Sequence, residues 1–417
     1  MRTRASLLAL AGALALLCSC SQRERSNPLD PQNPNSNGAP TGFNAVAGFL
    51  VVRLNWDPEP DLAIDGFMLY RRVAGDSLYR PHAGPLPKRS GTYLDTGVPN
   101  GSETRYRLYF ITAGELSAVA AEDVATPGPV RGWAVDADGR LIQIAPDGRD
   151  IARVISGFGT PASLAVTPNY GTIWVSNGLD GIVWMFDPST ANTQAIRGLG
   201  TPFTIALDAG DESAWVCDVA GLVRHFDPSG LPGTPSSLLN LLEPSGIATS
   251  PVDGSLWVTE RSGQRLRHYS SAGVPLGARP IPLPSRVAVD SASGDVWVTS
   301  LSTGWVWHFS PAMQVEDSVR LSGPIGIAVD PRRGTVWVAD AVANQLVALD
   351  AASGAVRSRF AAPGEPRDVS VDLARGEPWV AARVAGSVYR FSASGVRLSQ
   401  VSGLGDVYEL KLDPGGP

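Results

Sequence analysis

The chain has 417 residues, nearly three times the ~150 that typify one domain, which excludes a single small domain. Its 45 Gly and 34 Pro make nearly a fifth of the chain, against 18% charged and 43% hydrophobic residues, a composition that suits a turn-dense all-β globule rather than a disordered chain. The net charge is −6 and the 34 basic residues are scattered, never more than two in a row, so there is no basic stripe for DNA or RNA, and nucleic acid is not an expected partner.

Residues 1–19 read as a signal peptide: Arg2 and Arg4 precede an unbroken apolar run from Leu7 to Leu17. Those eleven residues would extend only ~16 Å as a helix, short of a ~30 Å hydrocarbon core, so a permanent span is not expected. The following Leu17-Cys18-Ser19-Cys20 resembles the bacterial lipobox. The resemblance implies a lipid on Cys20, anchoring in the cell envelope and, with Ser21 next, the outer membrane of a Gram-negative cell. Removal of the signal leaves Cys20 and Cys217, so no structural disulfide is expected. Cys217, in the strand-like run Ala214-Trp215-Val216-Cys217, reads as a small buried hydrophobe. Residues 20–40, rich in Asn and Pro, are expected to form a flexible tether.

Residues 41–127 alternate apolar and polar side chains, as in Val52, Leu54 and Trp56 or Tyr106, Leu108 and Phe110, and suit a β-sandwich. Leu54-Asn55-Trp56, Gly66-Phe67-Met68-Leu69-Tyr70-Arg71 and Tyr93-Leu94-Asp95-Thr96 before Thr104-Arg105-Tyr106 resemble the immunoglobulin-like fibronectin type III domain. The resemblance implies Trp56 as core tryptophan and Tyr106 as corner tyrosine. An adhesive module and a spacer both suit such a unit.

The rest, residues 128–417, is a repeat. Trp133, Trp174, Trp215, Trp257, Trp297, Trp337 and Trp379 are separated by 41, 41, 42, 40, 40 and 42 residues, and six of them precede Val. A period near forty with several short apolar runs per unit predicts four-stranded propeller blades. Asp330-Pro331 and Ser353-Gly354 mark the reversals of one unit. Trp133 lacks a preceding apolar run, whereas Val407–Leu412 is such a run with no Trp after it. The expectation is therefore a seven-bladed β-propeller closed by its C-terminal strand, which removes sheet edges. The pattern resembles the NHL and YVTN propellers and the virginiamycin B lyase fold.

The register-matched tryptophans are expected to pack between sheets. His225, His268 and His308 share one position of the third strand, held elsewhere by Gln143, Met185, Ala348 and Arg390; neighbouring blades are too far apart for them to share a metal. Ligand chemistry is expected at the central channel. Alignment of the inner strands places Ser163, Thr204, Gly246, Arg286, Gly326, Asp368 and Glu409 at one position, with Arg367 and Tyr408 just before. Loops after the Trp strands add Asn177, Asp218, Glu260 and Asp340. Carboxylates and arginines in one funnel suit a polar ligand, a Ca²⁺ or Mg²⁺ ion, or a wet channel. No catalytic residue is assigned and no cofactor is required beyond such an ion.

Two functions stand open. One is a monomeric, non-catalytic binding or scaffold lipoprotein, attached to the membrane by its lipid and recognising an envelope protein or glycan. The other is a propeller enzyme of the virginiamycin B lyase or metal-dependent lactonase type. Glu260-Arg261-Ser262 lacks a His two residues after the Glu, which separates the chain from the lyase's paired His and Glu.

Overall fold

The computed structural model describes residues 29–413 except 34–35, 48–50, 61, 97, 100–101, 129, 168–170, 189, 239 and 374. The signal segment and Cys20 lie outside the described residues. No helix occurs among the described residues, and so none is long and apolar enough to cross a membrane. The chain divides into two compact units, one ending at Thr126 and the other beginning at Pro127.

In the first unit, Asn44–Ala47, Val51–Asn55 and Thr92–Thr96 form a three-stranded sheet. A second sheet orders Arg80–Leu86, Gly66–Val73, Thr104–Thr112 and Glu115–Leu116, with Ala121–Ala125 also on Thr104–Thr112. The period-two pattern buries Val52, Leu54 and Trp56 from one segment and Phe67, Leu69, Tyr106, Leu108 and Phe110 from others. Trp56 and Phe67 meet at 5.6 Å between ring centroids, and Phe67 meets Phe110 at 5.8 Å. The Tyr106 hydroxyl donates to Asp95 Oδ2 at 2.7 Å, and Asp95 also receives Arg71 Nη1 at 2.9 Å and faces His82 Nε2 at 2.9 Å. Burial would raise the Asp95 carboxyl, but these donors hold it below its ordinary range. Part of the expected tether is folded. Residues 29–33 and 36–40 form turns in which Asp30 and Asn33 side chains accept from Gln32 N at 2.9 Å and Ser36 N at 3.4 Å. Asn and Asp bonding to nearby backbone explain why this segment turns rather than extends.

The second unit is propeller-like: among the described residues it contains seven four-stranded antiparallel sheets. One runs Pro324–Asp330, Thr335–Asp340, Gln345–Asp350 and Val356–Ala361, from inner to outer strand. Another orders Ile151–Ser156, Arg140–Ile144, Arg131–Asp136 and Val407–Asp413, so the last strand of the chain pairs with the first strand of the repeat. Buried Asp side chains close the inner turns; Asp290 accepts from Ala292 N at 2.7 Å and Asp330 from Arg333 N at 3.3 Å. Gly304 and Gly386 turn the chain into third strands at φ 77° and 52°. A Cβ there would lie 2.6 Å from the Leu321 carbonyl oxygen and 2.2 Å from that of Leu404, so both positions need glycine.

Seven apolar clusters lie between successive sheets, and each contains one of the register-matched tryptophans. Trp297 packs with Ile327, Val336 and Val338 of the following sheet, and Trp379 packs with Ala134, Ile142 and Leu410. The three histidines lie flat on the Trp cross-strand from them: His225 on Trp215, His268 on Trp257 and His308 on Trp297, at 4.0, 3.7 and 4.1 Å with interplanar angles of 9°, 9° and 7°. Burial lowers the His268 pKa, which favours the neutral ring. Replacing Trp297 by Ala should cost about 3–5 kcal/mol, because the next sheet cannot collapse into the vacated wedge. Half-exposed Trp305, on the same sheet, should cost about 1 kcal/mol when truncated. Urea unfolding of the intact chain followed by circular dichroism distinguishes the two.

Candidate functional site

The inner strands share a local signature. Pro161, Pro202, Pro244, Pro284, Pro324 and Pro366 recur two residues before the aligned channel position, with Val407 in the seventh repeat. Proline has no N–H and suits an edge strand. In six of the seven sheets the ladder slips just after this residue, between Pro366 and Asp368 or Val407 and Glu409, for example. Such bulges re-aim side chains. Two of the slipped strands carry Asp368 and Glu409, and these line one cavity of about 150 Å³ with Arg286, which comes from the sheet whose ladder does not slip.

Those groups form a chain of ion pairs. Arg286 Nη2 lies 3.3 Å from Glu409 Oε2, Lys411 Nζ lies 2.9 Å from Glu409 Oε1 and 2.8 Å from Asp368 Oδ2, and Leu410 N donates to Asp368 Oδ2 at 3.0 Å. Glu409 and Asp368 side chains are only 4% and 7% exposed, so neither carboxylate would tolerate isolation. Burial pushes the Glu409 carboxyl up, but Lys411 and Arg286 outweigh it and hold the group below its usual range. Burial likewise works against the Lys411 ammonium, and Asp368 and Glu409 reverse this, raising its pKa. Lys411 is the group that sequence reasoning missed. Two residues after Glu409, it occupies the position held by Ala165, Ala206, Ala248, Ala288, Ala328 and Ser370 in the other repeats. A lone cation in a ring of small residues was the available signal.

Towards the start of the inner strands lies a cavity of about 310 Å³ lined by Pro161, Ala162, Leu179, Phe203, Arg286, Arg367 and Tyr408, with Thr160, Gly178 and Thr201 completing it. Its two charged lining residues are guanidinium groups, and no carboxylate lines it. Arg367 faces Glu365 Oε1 at 3.5 Å, but Glu365 is already gripped by Arg383 at 2.6 and 3.2 Å. Burial lowers the Arg367 pKa; Glu365 opposes this, and the Arg383 and Arg286 charges add to it.

Asp218, Glu260 and Asp340, expected to face ligand, are absent from the lining of these cavities. Each is buried at the end of its Trp strand and ties down the loop that leads into an inner strand. Asp218 accepts from Gly200 N and Thr201 N at 3.0 and 2.9 Å, and Asp340 from Ser322 N and Gly323 N at 3.0 and 2.8 Å. Glu260 accepts from Leu242 N at 3.3 Å and pairs with Arg265 and Arg267. Asn177 does the same work by donating to the Phe158 carbonyl at 2.9 Å. Loop N–H groups left without a partner would be costly to bury, which explains the recurrent acid. Cys217 occupies the strand position of Ser176, Thr259 and Thr299 in other sheets. Its thiol is fully buried, and burial pushes its pKa up to about 12, so it is no nucleophile near neutral pH.

Among the described residues, no group of three His, Cys, Asp or Glu side chains is placed to hold a metal ion. The channel donors do not suit Ca²⁺ or Mg²⁺ either, because Lys411 and Arg286 already neutralise Asp368 and Glu409.

No protein-family model and no curated protein matches the chain. Solved structures do resemble it. Selenomethionine-substituted virginiamycin B lyase from Staphylococcus aureus superposes with a TM-score of 0.51 at 14% identity over 64% of this chain and 87% of that one. Apo AztD from Citrobacter koseri gives 0.51 at 15% identity over 69% and 98%, and the Kuenenia stuttgartiensis hydrazine synthase gives 0.53 at 12% over 69% and 92%. At these identities the likeness is one of fold, and it supports the propeller-like architecture of the second unit.

Replacing Lys411 by Met removes the shared cation and should cost about 3 kcal/mol near neutral pH. A raised lysine pKa contributes stability that is present below the unfolded value and is lost as pH rises through the folded one. A depressed Glu409 pKa contributes stability that is present above the unfolded value and is lost as pH falls through the folded one. The gap between wild type and Lys411→Met should therefore close on acidification, as the uncompensated carboxylates take up protons. Thermal unfolding across the pH range measures it.

Proposed function

We propose that the protein is an exported, lipid-anchored receptor or scaffold, with a seven-bladed β-propeller as its recognition unit and a fibronectin type III-like sandwich as spacer. Closure of the ring is supported by the pairing of Val407–Asp413 with Arg131–Asp136. It is supported further by inner strands that touch in cyclic order, from Pro161–Val166 round to Val407–Asp413 and back. The sandwich reading is supported by two sheets sharing a core around Trp56, although Tyr106 donates to Asp95 rather than to backbone. Export and anchoring rest on Arg2, Arg4, the Leu7–Leu17 run and Cys20. On this reading the protein sits in the cell envelope, on the outer membrane of a Gram-negative cell.

One observation carries the functional reading. The charged groups of the channel are paired with one another in the ion-pair chain Arg286–Glu409–Lys411–Asp368, beneath a cavity whose lining is mostly uncharged. Paired carboxylates are poor general bases, while a shaped, largely apolar recess with a few polar groups is what a ligand site requires. The site therefore suits binding better than turnover, and the partner is expected on the envelope as protein, glycan or small ligand.

Two measurements test this. Mass spectrometry of the mature protein should find diacylglycerol on Cys20 at the new N-terminus; an unmodified Cys20 would refute anchoring. The melting temperature of the intact, chelator-treated protein should be unmoved by Ca²⁺ or Mg²⁺. A metal-dependent rise that Glu409→Gln removes would instead favour a metal-dependent propeller enzyme.

A further inference from the structure

We infer that the mouth cavity binds a small organic monoanion, a carboxylate carried on an aryl or branched alkyl body, with Arg286 and Arg367 gripping the carboxylate. This rests on the reading of that cavity as the ligand site, and it names the ligand's chemistry.

Size is the first argument. About 310 Å³ lies at the small end of ligand pockets, which run from about 300 to 1,000 Å³. The occupant is a compact molecule rather than a chain segment threading the channel. The lining provides the second. Pro161, Ala162, Leu179 and Phe203 offer apolar surface, and Leu179, 82% exposed at the rim, gains most from being covered. A bare inorganic ion would leave that surface wet.

Charge provides the third. Two guanidinium groups face one small space with no carboxylate among its lining residues. Arg286 spends one contact on Glu409 at 3.3 Å, which leaves most of its five donors for another acceptor. Arg367 has its one ion pair at 3.5 Å, with a Glu365 carboxylate that Arg383 holds more closely. A carboxylate between the two arginines would take the bidentate hydrogen bonds that guanidinium geometry favours, and it would relieve their mutual repulsion. One negative charge suffices, because Glu409 already neutralises part of Arg286 from below. A dianion would bring its second charge towards that buried carboxylate.

Isothermal titration of the intact protein with phenylacetate, phenylacetamide and inorganic phosphate tests the inference. Phenylacetate should bind about tenfold more tightly than its neutral amide, the difference expected of charge-assisted hydrogen bonds. Arg367→Gln should cut that preference severalfold with the melting temperature unchanged, since Glu365 keeps Arg383 as its partner and Arg286 remains at the site. Phe203→Ala should weaken both aryl ligands alike. Equal binding of phenylacetate and phenylacetamide would overturn the anion and leave the cavity as a ligand site. Phosphate binding as tight as phenylacetate would overturn the apolar body. No binding of any probe up to about 10 mM would overturn this inference, whereas the receptor reading falls only if envelope proteins and glycans also fail to bind the intact protein.

Discussion

The tryptophan wedged between each sheet and the next is the contact on which the second unit depends. A four-stranded sheet has two faces, and among the described residues no helix covers either, so each must find its cover in a neighbouring sheet. One large ring per interface, surrounded by Val, Leu and Ile, fills the gap between twisted sheets that smaller side chains would leave empty. The cross-strand partner of that ring is free to vary. It is Gln143, Met185, His225, His268, His308, Ala348 or Arg390, because it need only lie against the indole. Three histidines in register are thus a consequence of stacking, and their alignment reports packing rather than metal chemistry.

The same repetition sets the stage for the channel. Each inner segment opens with a proline or valine, and in six of the seven the ladder then slips, which re-aims the next residues. In most repeats they are small or neutral, such as Ser163, Thr204, Gly246 and Gly326. The charged exceptions, Arg286, Asp368, Glu409 and Lys411, occur in three repeats only, and the structure sets them against one another. Buried charges gain little net stability when paired but lose much when one partner is removed. Their pairing ties three inner strands together and polarises the space above them.

Much of this was legible in the residues themselves. The spacing of seven tryptophans predicted the sheets, and the unmatched ends at Trp133 and Val407 predicted which strands pair. Alignment at one register position was enough to bring Arg286, Asp368 and Glu409 together. The loop-capping role of Asp218, Glu260 and Asp340 was not legible, because a carboxylate at a strand end looks the same in sequence whether it faces a ligand or caps a loop. Only the direction of the neighbouring N–H groups separates the two. Lys411 escaped notice for the opposite reason: it is exceptional only against the alanines at its own position. The turns at 29–33 and 36–40 were hidden by composition, since Asn, Asp and Pro serve both open chains and tight turns.

Arg286 and Lys411 have one more consequence when the three cavities are placed in order along the inner strands. Arg286 lines both the mouth cavity and the small one below it, and Lys411 lines both that small one and a third, of about 280 Å³, bounded by Ala165, Ala206 and Ala248. Two cationic side chains thus border successive cavities, each tethered to an acid. A molecule moving inward from the mouth therefore passes one cation held by an acid and then a second, so the polarity it meets rises with depth.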